Sequence, residues 1–367
     1  MAQVAGEVAA AARRLLQELD VDWDLLASYT GLLGLAVLSI YVGAHASLPR
    51  RSKRDPVPED KGKGKDKGKG DPNDEDEDED EDTERMSAED AWLFPIVGSV
   101  VLVVLYLIVQ HLGEKWINRL LGWYFAITGV GSVWNSLVLL TRHLAGETRW
   151  KGFDRLRVRV TKGSHVIVSV ATRTPTMVLL PLALVPSGLY TFSAAGRRSV
   201  LVTDVLGLSF AHNAVALLKL DSFRTGAILL AGLFVYDVWW VFGTEVMVKV
   251  ATTLDVPIKL LWPKSAVFGS GRGYTMLGLG EVVIPGTFVA LALRYDAEGK
   301  RGGKPFFWAA MVGYIVGLIT TMGVMHAFGA AQPALLYLSP ACIGSFVGTG
   351  LARGELCSAW RWKDGPE

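Results

Sequence analysis

Two acids stand in apolar sequence that would ordinarily exclude them. Asp237 lies inside LLAGLFVYDVWWVFG and Glu281 inside YTMLGLGEVVIPG, 44 residues further along. A carboxyl group in hydrocarbon costs several kcal/mol unless it is neutral or paired, so an intramembrane acid is read first as a functional group. Two carboxyls brought close together cannot both ionise, and they share a proton. Such a pair can hydrolyse an amide: one acid draws a proton from water while the other protonates the carbonyl oxygen. Neither a metal nor a covalent intermediate is required. Intramembrane acids also mark ion pathways, although the inverted repeat expected of many transporters is not evident here.

The neighbours of the two acids fit that chemistry. Gly278, Leu279 and Gly280 precede Glu281, and the two glycines permit close approach of a neighbouring helix or a substrate backbone; packing alone also accounts for a lone GxG. Tyr236 adjoins Asp237, within reach of the pair or simply packed. Pro285 should kink its helix one turn after Glu281. Further on stand Pro333, Ala334 and Leu335; Pro333 lacks an N–H and suits a first helical turn. His326 reads as a bundle residue rather than a catalytic base.

Helices must carry these residues to one depth. A membrane helix needs about 20 mostly apolar residues, and nine such runs are present. They lie near Tyr29–Leu48, Trp92–Leu112, Trp116–Leu140, Pro175–Phe192, Val200–Leu218, Thr225–Val248, Tyr274–Leu293, Pro305–Phe328 and Pro333–Leu351. The fourth and fifth are the weakest, interrupted by Pro181 and Pro186 and by Asp204, His212 and Asn213. Such groups survive in a span only when neighbouring helices satisfy them. Asp237 comes twelve residues after Thr225, about 18 Å along a helix at roughly 1.5 Å per residue. The sixth and seventh spans run in opposite directions, so Asp237 and Glu281 fall at similar depth, nearer the non-cytoplasmic face.

Composition agrees with a bilayer. Of 73 charged residues, 27 crowd into residues 50–90, where KGKGKDKGKG is followed by nine consecutive acids from Asp74 to Asp82. That tract cannot bury enough apolar area to offset chain entropy and is expected to be disordered. The remaining charge is sparse, well below the ~25% of soluble chains. A net charge of +1 with no basic, aromatic-interleaved patch excludes nucleic acid as a partner. Cys342 and Cys357 stand in no metal or disulfide spacing. Lysine and arginine gather in the odd-numbered connections, from Arg50 to Lys69, Arg142 to Lys162 and Arg294 to Lys304, which places the N-terminus outside the cytoplasm and the C-terminus inside. Gln17 to Trp23 is expected to begin a short interfacial helix, and the apolar and glycine-rich loop from Ala251 to Gly273 to re-enter the membrane edge and control access.

In these motifs the chain resembles the signal peptide peptidase family, intramembrane aspartyl proteases related to presenilin. The resemblance rests on YD at Tyr236 and Asp237, GLG at Gly278 to Gly280 followed by an acid, and PAL at Pro333 to Leu335, in family order and in separate spans. It extends through VPIKLLWP and AQPALLYLSPACIG, and covers about Val200 to Ala352. It implies an all-α polytopic membrane protein of about nine transmembrane helices in a presenilin-like bundle. It implies hydrolysis of peptide bonds within transmembrane helices, such as remnant signal peptides and type II membrane segments, in the endoplasmic reticulum membrane. Asp237 and Glu281 would be catalytic; Tyr236, Gly278, Leu279, Gly280, Pro333, Ala334 and Leu335 would position the substrate. No cofactor or metal is implied, and assembly with further copies of the chain stays open.

The family has Asp after GLG, whereas this chain has Glu281. One methylene moves the carboxyl by about 1 Å, a displacement that can cost ~10²-fold in rate. A lowered activity is therefore expected, and a catalytically silent chaperone or adaptor that holds membrane helices is the alternative. The organisation that follows is a non-cytoplasmic segment over 1–28, the first span over 29–48, a charged cytosolic loop over 49–91, spans two to four with a basic cytosolic loop over 92–199, catalytic spans over 200–352 and a cytosolic tail over 353–367.

Overall fold

A computed structural model describes residues 23–48, 85–146, 149–150, 152–162, 165–192, 199–254, 256–264, 273–299, 303–328 and 332–365. The expected interfacial helix and the charged tract lie outside these residues except for Trp23 and the stretch from Arg85.

The first helix, α1 (Trp23–Ala46), buries Ser28, Leu32, Ala36, Ile40 and Ala44. Their four-residue spacing gives one stripe that faces the protein. The second, α2 (Ala88–Leu112), opens four residues before the expected span. Ser87 caps it, its Oγ accepting from the Asp90 N–H at 3.3 Å while the Asp90 carboxylate accepts from the Ser87 N–H at 3.0 Å. This reciprocal pair satisfies two otherwise orphaned helix-end donors. Gly113, at φ 81°, then turns the chain into α3 (Glu114–Ala145), a conformation that favours glycine.

The connection that follows carries a β-hairpin. Strands β1 (Arg155–Lys162) and β2 (His165–Arg173) pair antiparallel, from Arg155 opposite Arg173 to Lys162 opposite His165. The helices α4 (Thr174–Phe192) and α5 (Val200–Leu217) then form despite their prolines and polar groups. In α5 those groups have partners: Asn213 accepts from Asn135 Nδ2 at 2.7 Å and donates to the Ser132 carbonyl at 2.8 Å, both on α3. Asp204 accepts from the Leu261 N–H at 2.8 Å.

The sixth expected span divides in two. Helix α6 (Phe223–Phe242) stops at Gly243, whose N–H donates to Trp239 O at 2.8 Å, and a separate short helix α7 (Val246–Thr253) follows. The loop expected to re-enter contains a strand, β3 (Lys259–Pro263); residues 265–272 lie outside the described set. The seventh expected span also starts differently, because Tyr274–Gly278 is a strand, β4, paired antiparallel with β3 from Lys259 opposite Gly278 to Pro263 opposite Tyr274. Helix α8 (Leu279–Glu298) begins only at the motif itself. The remaining helices are α9 (Pro305–Phe328), α10 (Leu335–Arg353) and the short α11 (Leu356–Arg361).

Among the described helices α1 to α6, α9 and α10 are long and apolar enough to cross a membrane, giving a polytopic, mostly helical protein. Helix α8 is as long but carries Glu281, Arg294 and Asp296, and it is the centre of the bundle: Ile284 through Arg294 are all buried. A helix buried all round has protein rather than lipid as its neighbour. At its lower end Phe223, Phe288, Phe306 and Phe346 cluster, with Phe223 and Phe346 stacked at 4.2 Å. Arg294, 3% exposed, is held there by Asp364 at 2.7 Å, Ser47 Oγ at 3.1 Å and the Leu220 carbonyl at 3.4 Å.

Candidate active site

Three helix segments meet at the site: the middle of α6, the first turn of α8 and the start of α10. Asp237 on α6 is 6% exposed. Its Oδ2 accepts from the backbone N–H of Leu335 at 3.0 Å, a bond that joins positions 98 residues apart. The donor arises from the local sequence. Pro333 and Ala334 are buried ahead of α10, and Leu335 opens the helix, so its N–H belongs to the first turn, where no intrahelical carbonyl is available. A carboxylate takes that vacant place, and a bond to an ionised acceptor is among the stronger kinds.

Glu281 stands in the first turn of α8, near enough to Asp237 for the two carboxyls to act on each other electrostatically. The preceding strand fixes its approach. Gly278 pairs with Lys259, and the Leu279 N–H donates to Ile258 O at 3.0 Å. Asp204 in turn holds β3 against α5 through Leu261. A methyl group added at Gly278 would lie 3.5 Å from Glu281 Oε1, so the carboxyl folds back over its own motif. Gly280 is exposed, and a methyl group there would meet no described heavy atom within 4 Å. Space beside the acid, rather than a tight helix contact, is what this glycine leaves. Pro285 sits one turn on and supplies no N–H to the Glu281 carbonyl.

The structure therefore gathers Asp237, Glu281, Gly278, Leu279, Gly280, Pro333, Ala334 and Leu335 at one place. Tyr236 is directed elsewhere. Its ring packs on Trp240 at 6.3 Å and toward Gly98 of α2. His326 is exposed at the far end of α9. Among the described residues, no group of three or more His, Cys, Asp or Glu side chains is arranged to hold a metal. Two contributors escaped the sequence reading. The Leu335 N–H is backbone and has no side-chain signature, and Asp204 was visible only as an unexplained acid in a weak span.

The arrangement offers two carboxyls within electrostatic reach of each other, a backbone donor on one of them and open space beside the other. The family model described as signal peptide peptidase matches residues 78–365. Human signal peptide peptidase is 38% identical over 293 residues, covering 77% of this chain and 74% of the human protein. A probable intramembrane protease of Schizosaccharomyces pombe is 32% identical over 284 residues, covering 76% of this chain and 83% of the yeast protein. Intramembrane protease 2 of Caenorhabditis elegans is 40% identical over 184 residues, 46% of this chain and 39% of the worm protein. With the match spanning the motifs and the helices that carry them, the chain belongs to the signal peptide peptidase family of intramembrane aspartic peptidases.

Proposed function

We propose that this chain hydrolyses peptide bonds within transmembrane helices, with Asp237 and Glu281 as the catalytic pair. The observation that carries this reading is the Asp237 carboxylate, tied to the Leu335 N–H and within electrostatic reach of Glu281. Two carboxyls brought close in a low-dielectric site hold one proton between them. Asp237, which accepts from a fixed donor, serves as the base that takes a proton from water. Glu281 serves as the acid that protonates the carbonyl oxygen of the scissile bond. The water oxygen bonds to the carbonyl carbon; on collapse the C–N bond breaks, and the amine leaves with a proton passed back through the pair. A helical substrate hides its carbonyls in hydrogen bonds, so it must unwind first. The space beside Gly280 is where an extended backbone would lie.

The substrates proposed are remnant signal peptides and type II membrane segments, as the family supports. The location proposed is the endoplasmic reticulum membrane, with the N-terminus lumenal and the C-terminus cytosolic, as the distribution of lysine and arginine supports. Pro333, Ala334, Leu335, Gly278, Leu279 and Gly280 shape the substrate path. Tyr236 acts on it through the packing of α6 against α2.

One observation favours a second reading. Glu281 is longer than the family's acid by one methylene, which would leave a helix-binding adaptor if the carboxyl is misplaced. Cleavage of a signal-peptide-like helix by purified protein separates the two. The protease reading expects cleavage by the wild-type chain, none by Asp237→Ala, and a rate for Glu281→Asp up to about 10²-fold higher. Cleavage by Glu281→Asp alone would overturn it in favour of the adaptor.

A further inference from the structure

Tyr314 lies in the middle of α9 and is wholly buried, at 0% exposure. Its hydroxyl has no hydrogen-bond partner among the described residues. That is an unusual place for a tyrosine, because a buried hydroxyl left unpaired costs about 1–3 kcal/mol and most are satisfied. A phenylalanine would fill the same space without that cost.

The surroundings fix where the hydroxyl stands. Gly313 and Gly317 seat α9 directly on α10: a methyl group at Gly313 would lie 2.8 Å from the Ala341 carbonyl, and one at Gly317 would lie 3.0 Å from the Leu338 Cα. Tyr314, next in sequence to Gly313, lies on a helix that packs against both α10 and α8. The titratable groups close enough to act electrostatically on its hydroxyl are Glu281 on α8 and the Cys342 thiol on α10. An unpaired donor on a third helix thus stands within electrostatic reach of Glu281.

We propose that Tyr314 is a positioning residue of the dyad, its hydroxyl donating to the Glu281 carboxyl, directly or across one water, when the site is engaged with substrate. This deepens the protease reading and rests on it. A carboxyl on a side chain one methylene longer has one more rotatable bond, and a hydroxyl that captures one of its oxygens removes that freedom. The Asp237 side is fixed by the Leu335 N–H; the Glu281 side would be fixed by the Tyr314 O–H.

The test is Tyr314→Phe, which keeps the ring and deletes only the donor. Detergent-purified wild type, Tyr314→Phe and Asp237→Ala are compared with a signal-peptide-like helix as substrate. In parallel, binding is measured of a peptide carrying a secondary alcohol in place of the scissile carbonyl, which mimics the tetrahedral intermediate. The expected result is a kcat lower by roughly 10- to 100-fold, the worth of one hydrogen bond to the carboxylate that Glu281 becomes as it gives up its proton. KM should stay within about twofold, the alcohol peptide should bind about 10-fold more weakly, and the melting temperature should be unchanged or higher. Unchanged kcat and unchanged affinity for the alcohol peptide would overturn the proposal, as would a fall in melting temperature accompanied by equal changes in kcat and KM. If the wild-type chain cleaves nothing, the protease reading fails, and the affinity of the alcohol peptide for wild type against Tyr314→Phe still decides the role of the hydroxyl.

Discussion

Along α2 the side chains of Trp92, Leu93, Ile96, Val97, Val100 and Val101 are exposed, whereas α8 from Ile284 to Arg294 is buried on every side. The more hydrophobic helix is the outer one. Helix α2 has the highest hydropathy of the candidate spans, 2.6, while α8 does not qualify as a span by composition at all. Hydropathy thus measures contact with lipid more than depth in the bundle. A helix surrounded by protein can carry a carboxylate, an arginine and a proline, because its neighbours supply their partners. One of the two acids, Glu281, stands on the helix that looks least like a membrane span.

The contrast can be broken most severely at Arg294. Arg294→Leu removes a buried cation while leaving Asp364 and the Leu220 carbonyl in place, and the loss of stability should be about 3–5 kcal/mol. Thermal unfolding in detergent measures it; a change under ~1 kcal/mol would mean that the lower end of α8 is open to water. A smaller effect is expected at Gly286, midway along α8. An added methyl would lie 2.9 Å from Val215 and 3.1 Å from Ile40, so Gly286→Ala should cost about 1–3 kcal/mol through overpacking. The matching change on the outer wall should have the opposite sign. At Gly122 of α3 nothing lies within 4 Å, and Gly122→Ala should raise stability by up to ~1 kcal/mol. Equal responses at Gly286 and Gly122 would erase the distinction between inner and outer helices.

The sequence made some of this legible because certain residues violate their surroundings. Asp237 and Glu281 are conspicuous in apolar runs, and the PAL segment is recognisable by its residue types. Element boundaries were harder. Tyr274–Gly278 reads as continuous apolar sequence, yet Thr275 and Leu277 are buried while Tyr274 and Met276 are exposed, a two-residue alternation. That alternation marks a strand, but it is one of burial rather than residue type: the exposed Tyr274 and Met276 are apolar and the buried Thr275 is polar, so the sequence does not display it. Its partner β3 is separated from it by a loop, so the pairing leaves no local trace. The division of α6 from α7 turns on Gly243 and Glu245 within an otherwise apolar stretch. Tyr314 gave no warning, since an aromatic in a membrane helix is ordinary until its hydroxyl is found alone.

The bond between Asp237 and Leu335 has a consequence for how this region responds to mutation. The group that touches the carboxylate is a peptide N–H, common to every residue except proline. Alanine replacements at Pro333 and Leu335 would alter packing and leave the donor itself untouched. The contribution of that donor is therefore silent in any side-chain scan, and the three side chains act by setting the direction in which the backbone points.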